Sequence, residues 1–447
     1  MTACLVAAMV VLALPTTGTA TADTPLIDPG LLPEPAAAAP SEPTEQRTRC
    51  AAVSEAPVTS VVPAAQRTLR FSDVWSLTRG AGQIIAVIDT GVAPHPLLPT
   101  LRAGGDYVST SDGLEDCDAH GTVVAGLIAA RPVAGSGFAG GAPDATILAI
   151  RQSSAAFAAT SSEREADENG STSAGYGDVE SMAAAIRTAV DAGADVVNIS
   201  EVACASAGSS MGDGALGAAV RYAAVDRDAV IVTAAGNLDG RRCRTQNDLI
   251  RGIDGRDTAL PVTLASPAWF DEYVLTVGSL DPDGQPSSFS LNGPWVDVAA
   301  PGTEVTSLGA TGTGLADGTL DEEGRRTAFT GTSFATPFVS ATAALVRARH
   351  PELSAADVID RIVTTAHSPA GDWDSAVGHG SLDPVAAVTG SAVARGDDAS
   401  VRLPPRTTPP VTDRRDALLA LASSVGILLL VSGALAVRAV VRRQDPS

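Results

Sequence analysis

The chain has 447 residues, of which 45% are hydrophobic and 18% charged, and it carries a formal net charge of -21. That composition can bury a sizeable core and excludes a disordered chain. The acidic balance excludes a nucleic-acid surface, which would need clustered cations, so no nucleic-acid partner is expected.

An apolar run over residues 5–14 leads into small polar residues and the stretch Ala20-Thr21-Ala22, the small-x-small pattern of a signal-peptidase site. Residues 1–22 are therefore read as a secretory signal peptide, although no positive charge precedes the run. Residues 23–68 are rich in Pro, Ala and Thr and lack periodicity, which predicts an extended N-terminal arm rather than a folded unit. From 69 to 389, short Val/Ile/Ala runs alternate with helical stretches, the pattern of parallel strands joined by crossover helices. Strands are predicted at 83–88, 146–150, 196–199 and 230–234, and helices at 121–130, 179–192, 214–225 and 333–349. The fold class is α/β, with a mostly parallel central sheet between helical layers.

A Pro/Thr/Arg-rich linker follows over 390–416, and residues 417–437 contain no charge. This meets the requirement of ~20 apolar residues for a bilayer-spanning helix, so one transmembrane anchor is predicted. Arg438, Arg442 and Arg443 follow it, in keeping with a cytoplasmic tail at 438–447, but Arg414 and Arg415 on the other side weaken the charge argument. Orientation rests on the signal peptide, which puts the globular region outside the cell membrane.

Of five cysteines, Cys4 leaves with the signal, and four in an exported chain predict two disulfides. Three connectivities are open. Cys204 and Cys243 each follow a strand that ends in a motif, Asn198-Ile199-Ser200 and Ala235-Gly236-Asn237, which places both beyond one sheet edge and favours Cys204–Cys243 with Cys50–Cys117. No close Cys-x-x-Cys or Cys/His spacing suggests zinc, and no convincing calcium loop is seen, so neither metal nor cofactor is expected.

A serine nucleophile needs a general base, a carboxylate to orient that base, and donors for the oxyanion. The first strand ends at Asp89-Thr90-Gly91, at the carboxyl edge where open α/β sheets build their sites. His120-Gly121-Thr122 starts an apolar helix, and Gly331-Thr332-Ser333 starts a longer one. Singly, each is ordinary: a turn-capping Asp, a structural His, an N-cap Ser. Together they give the chain order Asp, His, Ser and make Asp89, His120 and Ser333 the candidate charge-relay residues.

These segments resemble those of the subtilase family, the subtilisin-like serine proteases, over roughly residues 69–389. Gly141-Ala142-Pro143-Asp144-Ala145, Asp195-Val196-Val197-Asn198-Ile199-Ser200, Ala234-Ala235-Gly236-Asn237, Val277-Gly278-Ser279 and Ala300-Pro301-Gly302 agree in the family's order. The resemblance implies a serine endopeptidase acting on protein or peptide substrates, with Asn237 supplying the oxyanion amide beside the Ser333 N–H. The sedolisin-like variant, which has Glu for the histidine and Asp for the asparagine, is excluded by His120 and Asn237. Extended substrates are expected to pair with Ala174-Gly175-Tyr176-Gly177, leaving Gly175, Tyr176 and Gly177 as substrate-binding residues. Ser200 starts the facing wall, where Ser200-Glu201-Val202-Ala203-Cys204 departs from the family's small-residue pattern. Glu163, Glu165, Asp167 and Glu168 mark an insertion on the substrate side, whose charge would favour basic flanking residues.

A signal peptide, a cysteine-bearing arm, four mature cysteines and a membrane helix after a proline-rich linker further resemble the mycosin group, the subtilases of type VII secretion systems. That implies type VII membrane components as partners and secreted proteins as substrates. The alternative is a scaffold of the secretion complex in which proteolysis is secondary. The short arm, tied by a disulfide, is expected to stay attached and wrap the domain.

Overall fold

Apolar runs long enough to be buried on both faces become the strands of one sheet. In the computed structural model, which describes residues 25–161, 170–172, 175–239, 243–248, 260–370 and 372–390, these are β1 (Ile84–Asp89), β2 (Leu101–Asp106), β3 (Thr146–Arg151), β4 (Val196–Ile199), β5 (Val230–Ala234), β6 (Val274–Leu280) and β7 (Val298–Pro301). Their spatial order is β7-β6-β5-β4-β1-β3-β2, and every pairing is parallel. β1 lies inside the sheet, flanked by β3 and β4, and its residue-by-residue alternation divides the core: Ile85 and Val87 join one cluster, Ala86 and Ile88 the other.

Helices α1 (His120–Ala129) and α4 (Thr332–Arg349) cover the first face with Val123, Leu127, Phe338 and Leu345. Helices α2 (Val179–Asp191) and α3 (Gly214–Arg221) cover the second with Met182, Ile186 and Leu216. The chain is thus a three-layer, subtilisin-like α/β fold. The predicted elements lie within about a residue of their observed bounds, with one exception: the helix expected over 214–225 ends as an α-helix at Arg221 and continues as a π-turn over Tyr222–Asp226.

The arm is more ordered than its composition predicts. Thr44–Gln46 pairs antiparallel with Phe157–Ala159, and Ala52–Ala56 pairs antiparallel with Leu315–Leu320. Ala64–Leu69 is already a helix, starting after Pro63 and sending Ala65 and Leu69 into the core. The domain's packing therefore begins before residue 69. Strand edges on the body supply the partners that the arm's own sequence does not advertise.

Disulfides join Cys50 to Cys117 and Cys204 to Cys243. The first closes a sequence separation of 67 residues, and constraining so long a loop in the unfolded chain is worth about 2–4 kcal/mol. Replacing both Cys50 and Cys117 by alanine is expected to lower the unfolding free energy by that amount, read as a fall in the urea midpoint. A midpoint equal to wild type would show that the bridge contributes nothing to stability.

The predicted signal peptide, the four acidic residues of the insertion, Ala174, and the transmembrane helix and tail lie outside the described residues, as does nearly all of the linker. Among the described residues, no helix is long and apolar enough to cross a membrane.

Candidate active site

Asp89 is the last residue of β1 and is fully buried. The N-terminus of α1 comes against this strand end so closely that a Cβ at Gly121 would collide with the Gly91 carbonyl oxygen and sit 3.1 Å from the Asp89 carboxylate. Only a glycine after His120 permits the approach. His120 thereby stands with Nδ1 2.7 Å from Asp89 Oδ1 and Nε2 2.9 Å from Ser333 Oγ. The Phe334 ring lies 5.0 Å from the imidazole. In the neutral ring, Nδ1–H donates to Asp89 and Nε2 accepts from the serine, so a proton can pass from Ser333 to His120 while Asp89 holds the tautomer.

A second carboxylate braces this junction. Asp116 accepts from the Thr122 amide at 2.8 Å, the Thr122 hydroxyl at 2.6 Å and the Thr90 hydroxyl at 2.9 Å. Thr90 Oγ1 in turn accepts from the Gly121 amide at 3.0 Å. Asp116 thus ties the end of β1 to the first turn of α1. Burial pushes its carboxyl up to about 7 despite those hydrogen bonds. For His120, burial disfavours the charged ring, but the Asp89 carboxylate, with Glu201 and Asp116 beyond it, outweighs burial and holds the imidazole's proton affinity above its ordinary value.

Ser333 occupies the first turn of α4, where backbone amides lack intrahelical acceptors. Asn237 follows the turn after β5. Its Oδ1 accepts from the Thr332 amide at 2.9 Å and the Thr332 hydroxyl at 3.1 Å. With Oδ1 so engaged, Nδ2 is left on the side of Gly331, whose position is also beside Ser333 Oγ. The Asn237 side-chain amide and the Ser333 hydroxyl thus lie on either side of one glycine at the start of α4.

Ser200 faces inward. Pro337 has no N–H to give to the carbonyl four residues earlier, and that carbonyl, Ser333 O, accepts instead from Ser200 Oγ at 3.0 Å. Asn198 Nδ2 donates to Ser200 Oγ at 2.9 Å, and Ser340 Oγ to Asn198 Oδ1 at 2.8 Å. The Ser200 hydroxyl thus supports the backbone at Ser333. Tyr176 pairs with Ser154 in an antiparallel bridge and its hydroxyl meets Ser41 Oγ of the arm at 3.0 Å, while Gly175 packs so tightly that a Cβ would run into Ser154 O. A groove lined by Tyr176, Gly177, Val179 and Met211 adjoins this segment.

Two residues near the relay went unrecognised in the sequence. Asp116 lies four residues before His120, a spacing that carries no signature of its own. Glu201 follows the Asn-Ile-Ser strand end and brings Oε1 within 3.9 Å of His120 Nδ1; its only signal is a charge where small residues were expected. Asp89, His120 and Glu201 offer ligand atoms within 4.8 Å of one another, and His120 Nδ1 is engaged by Asp89 at 2.7 Å.

An imidazole held between a buried carboxylate and a serine hydroxyl is apparatus for acyl transfer. On the carboxyl edge of an all-parallel sheet, in this chain order, it defines a serine protease of subtilisin type. The chain matches the subtilase family over residues 80–380. Mycosin-4 of Mycobacterium tuberculosis is 48% identical over 428 residues, covering 92% of this chain and 90% of that protein. The structure of the MycP3 protease from the type VII (ESX-3) secretion system matches with a TM-score of 0.77 at 44% identity, covering 83% of this chain and 100% of that one. A chain in the periplasmic assembly from the ESX-5 inner membrane complex matches with a TM-score of 0.74 at 42% identity, covering 82% and 94%. The chain belongs to the subtilase family, within its mycosin group.

Proposed function

We propose that Asp89, His120 and Ser333 are the charge relay of a serine endopeptidase, with Asn237 Nδ2 and the Ser333 amide as its oxyanion donors. The observation that carries this reading is the unbroken hydrogen-bonded chain of 2.7 and 2.9 Å from Asp89 through His120 to Ser333. His120 takes the Ser333 proton as Oγ attacks the scissile carbonyl, the oxyanion settles between the two amides, and His120 returns the proton to the leaving amine. Water then repeats the cycle on the acyl-enzyme. The substrate backbone pairs along Gly175, Tyr176 and Gly177 and along the main chain after Ser200.

A fluorophosphonate probe applied to the full-length protein should form one covalent adduct, mapped by mass spectrometry to the Ser333 peptide. An adduct elsewhere, or none on folded protein, sinks the assignment. Asn237→Ala is expected to lower kcat by about 10²–10³ with little change in KM, since the amide is used by the transition state. A loss confined to KM would assign Asn237 to ground-state binding instead.

The proposal extends to location. Residues 1–22 direct export, the arm at 23–68 stays attached to the peptidase domain at 69–389, and the linker at 390–416 and the helix at 417–437 tether it outside the membrane. The tail at 438–447 lies in the cytoplasm. The likeness to a chain of a periplasmic assembly supports this placement and supports type VII membrane components as partners, with proteins exported by that system as substrates. The same likeness favours a second reading, a scaffold in which proteolysis is secondary. A cell whose only copy carries Ser333→Ala separates them: secretion continues for a scaffold and stops for an obligatory protease.

A further inference from the structure

Most of the surroundings of His120 are accounted for by the relay. From β1 comes Asp89; from the loop before α1 comes Asp116, while Asp118 turns its carboxylate to the Ser154 hydroxyl and the Ala155 amide. From α4 come the Ser333 hydroxyl and the Phe334 ring. The segment after β4 adds one group that the relay does not require: Glu201, with Oε1 3.9 Å from His120 Nδ1 and its side chain only 19% exposed. At that distance, shielded by the cleft, a carboxylate interacts strongly with a charged ring and hardly at all with a neutral one.

We propose that Glu201 is a positioning residue that acts through His120, holding the imidazolium formed when Ser333 gives up its proton and so setting the pH below which proteolysis stops. The inference rests on His120 being the general base. Its sign follows from charge. An anion beside the ring favours the protonated form, and a protonated ring cannot accept the serine proton, so Glu201 moves the acid limb of activity to higher pH. The raised proton affinity of His120, to which burial is opposed and Asp89, Glu201 and Asp116 contribute, points the same way. The same anion stabilises the imidazolium of the transition state. Removing it therefore shifts the limb and lowers the plateau together.

The test is the pH dependence of fluorophosphonate inactivation of the full-length protein, as wild type, Glu201→Gln and Glu201→Asp, with Ser333→Ala as blank. Glu201→Gln should move the acid midpoint down by about one pH unit and reduce the plateau rate severalfold. Glu201→Asp, which keeps the charge, should return most of the midpoint. Equal midpoints for wild type and Glu201→Gln, with both adducts on Ser333, overturn the proposal and leave the relay intact. Labelling of Ser333→Ala overturns the relay itself. If Glu201→Gln does not fold, Glu201→Ala takes its place: the same downward shift of the acid midpoint is expected, and a midpoint equal to wild type overturns the proposal.

Discussion

Replacing Ser333 by alanine is expected to lower peptide hydrolysis by about 10⁶-fold, because the three relay members act as a unit and the loss of the nucleophile removes the covalent pathway entirely. The residual rate, still about 10³-fold above water, comes from substrate alignment and from the oxyanion amides, which the substitution leaves in place. The fold should survive. Ser333 spends its hydroxyl on His120 alone, while its carbonyl keeps the hydrogen bond from Ser200; stability should change by no more than about 1 kcal/mol. Steady-state assays of peptide cleavage and a thermal melt check both halves. Retention of a tenth of wild-type turnover by a uniformly folded variant would remove Ser333 from the nucleophile's role.

The second large effect is expected from Asp89→Asn, about 10⁴-fold in kcat with KM little altered. The amide is nearly the size of the carboxylate, but Asp89 Oδ1 accepts from both the Thr90 amide at 2.7 Å and His120 Nδ1 at 2.7 Å, so an NH₂ turned to the ring gives up the Thr90 contact as well. What it cannot keep is acceptance from His120 Nδ1–H by an anion. An asparagine presenting its NH₂ to the ring leaves Nδ1 as acceptor and puts the proton on Nε2, where it faces Ser333 and blocks proton transfer. Since the site is buried, no water repairs the tautomer. Hydrolysis at saturating substrate measures the loss; a drop of less than tenfold would mean that Asp89 serves packing rather than proton orientation.

The parts of this molecule that were legible in the sequence are those in which local pattern and tertiary role coincide. β1, β3, β4 and β5 are unbroken apolar runs because a parallel strand is buried on both faces, and Asp89 stands out as the charge that ends one. His120 and Ser333 were legible through their glycine-flanked helix starts. Asp116 was not, because its work is done by hydrogen bonds to Thr90 and Thr122, and nothing in the spacing of those residues predicts a meeting. Glu201 read only as a departure from a family pattern, since a single charge carries no direction until β4 places it beside the imidazole. Ser200 read as part of the substrate wall, and its inward hydroxyl follows from Pro337, far along the chain, which leaves a carbonyl in want of a donor. The arm's strands, Thr44–Gln46 and Ala52–Ala56, show no alternation because the edges they cover, not their own side chains, decide their conformation.

Those two edges have a further consequence. Phe157–Ala159 and Leu315–Leu320 each present a row of backbone donors and acceptors that the arm satisfies. An unoccupied row of this kind pairs with any extended polypeptide that reaches it, which is the root of strand-mediated aggregation. The arm therefore acts as a guard on the enzyme's surface as well as a strap around it. Cys50 lies between the two covering strands, so its bond to Cys117 fastens the arm to the body between the edges it covers.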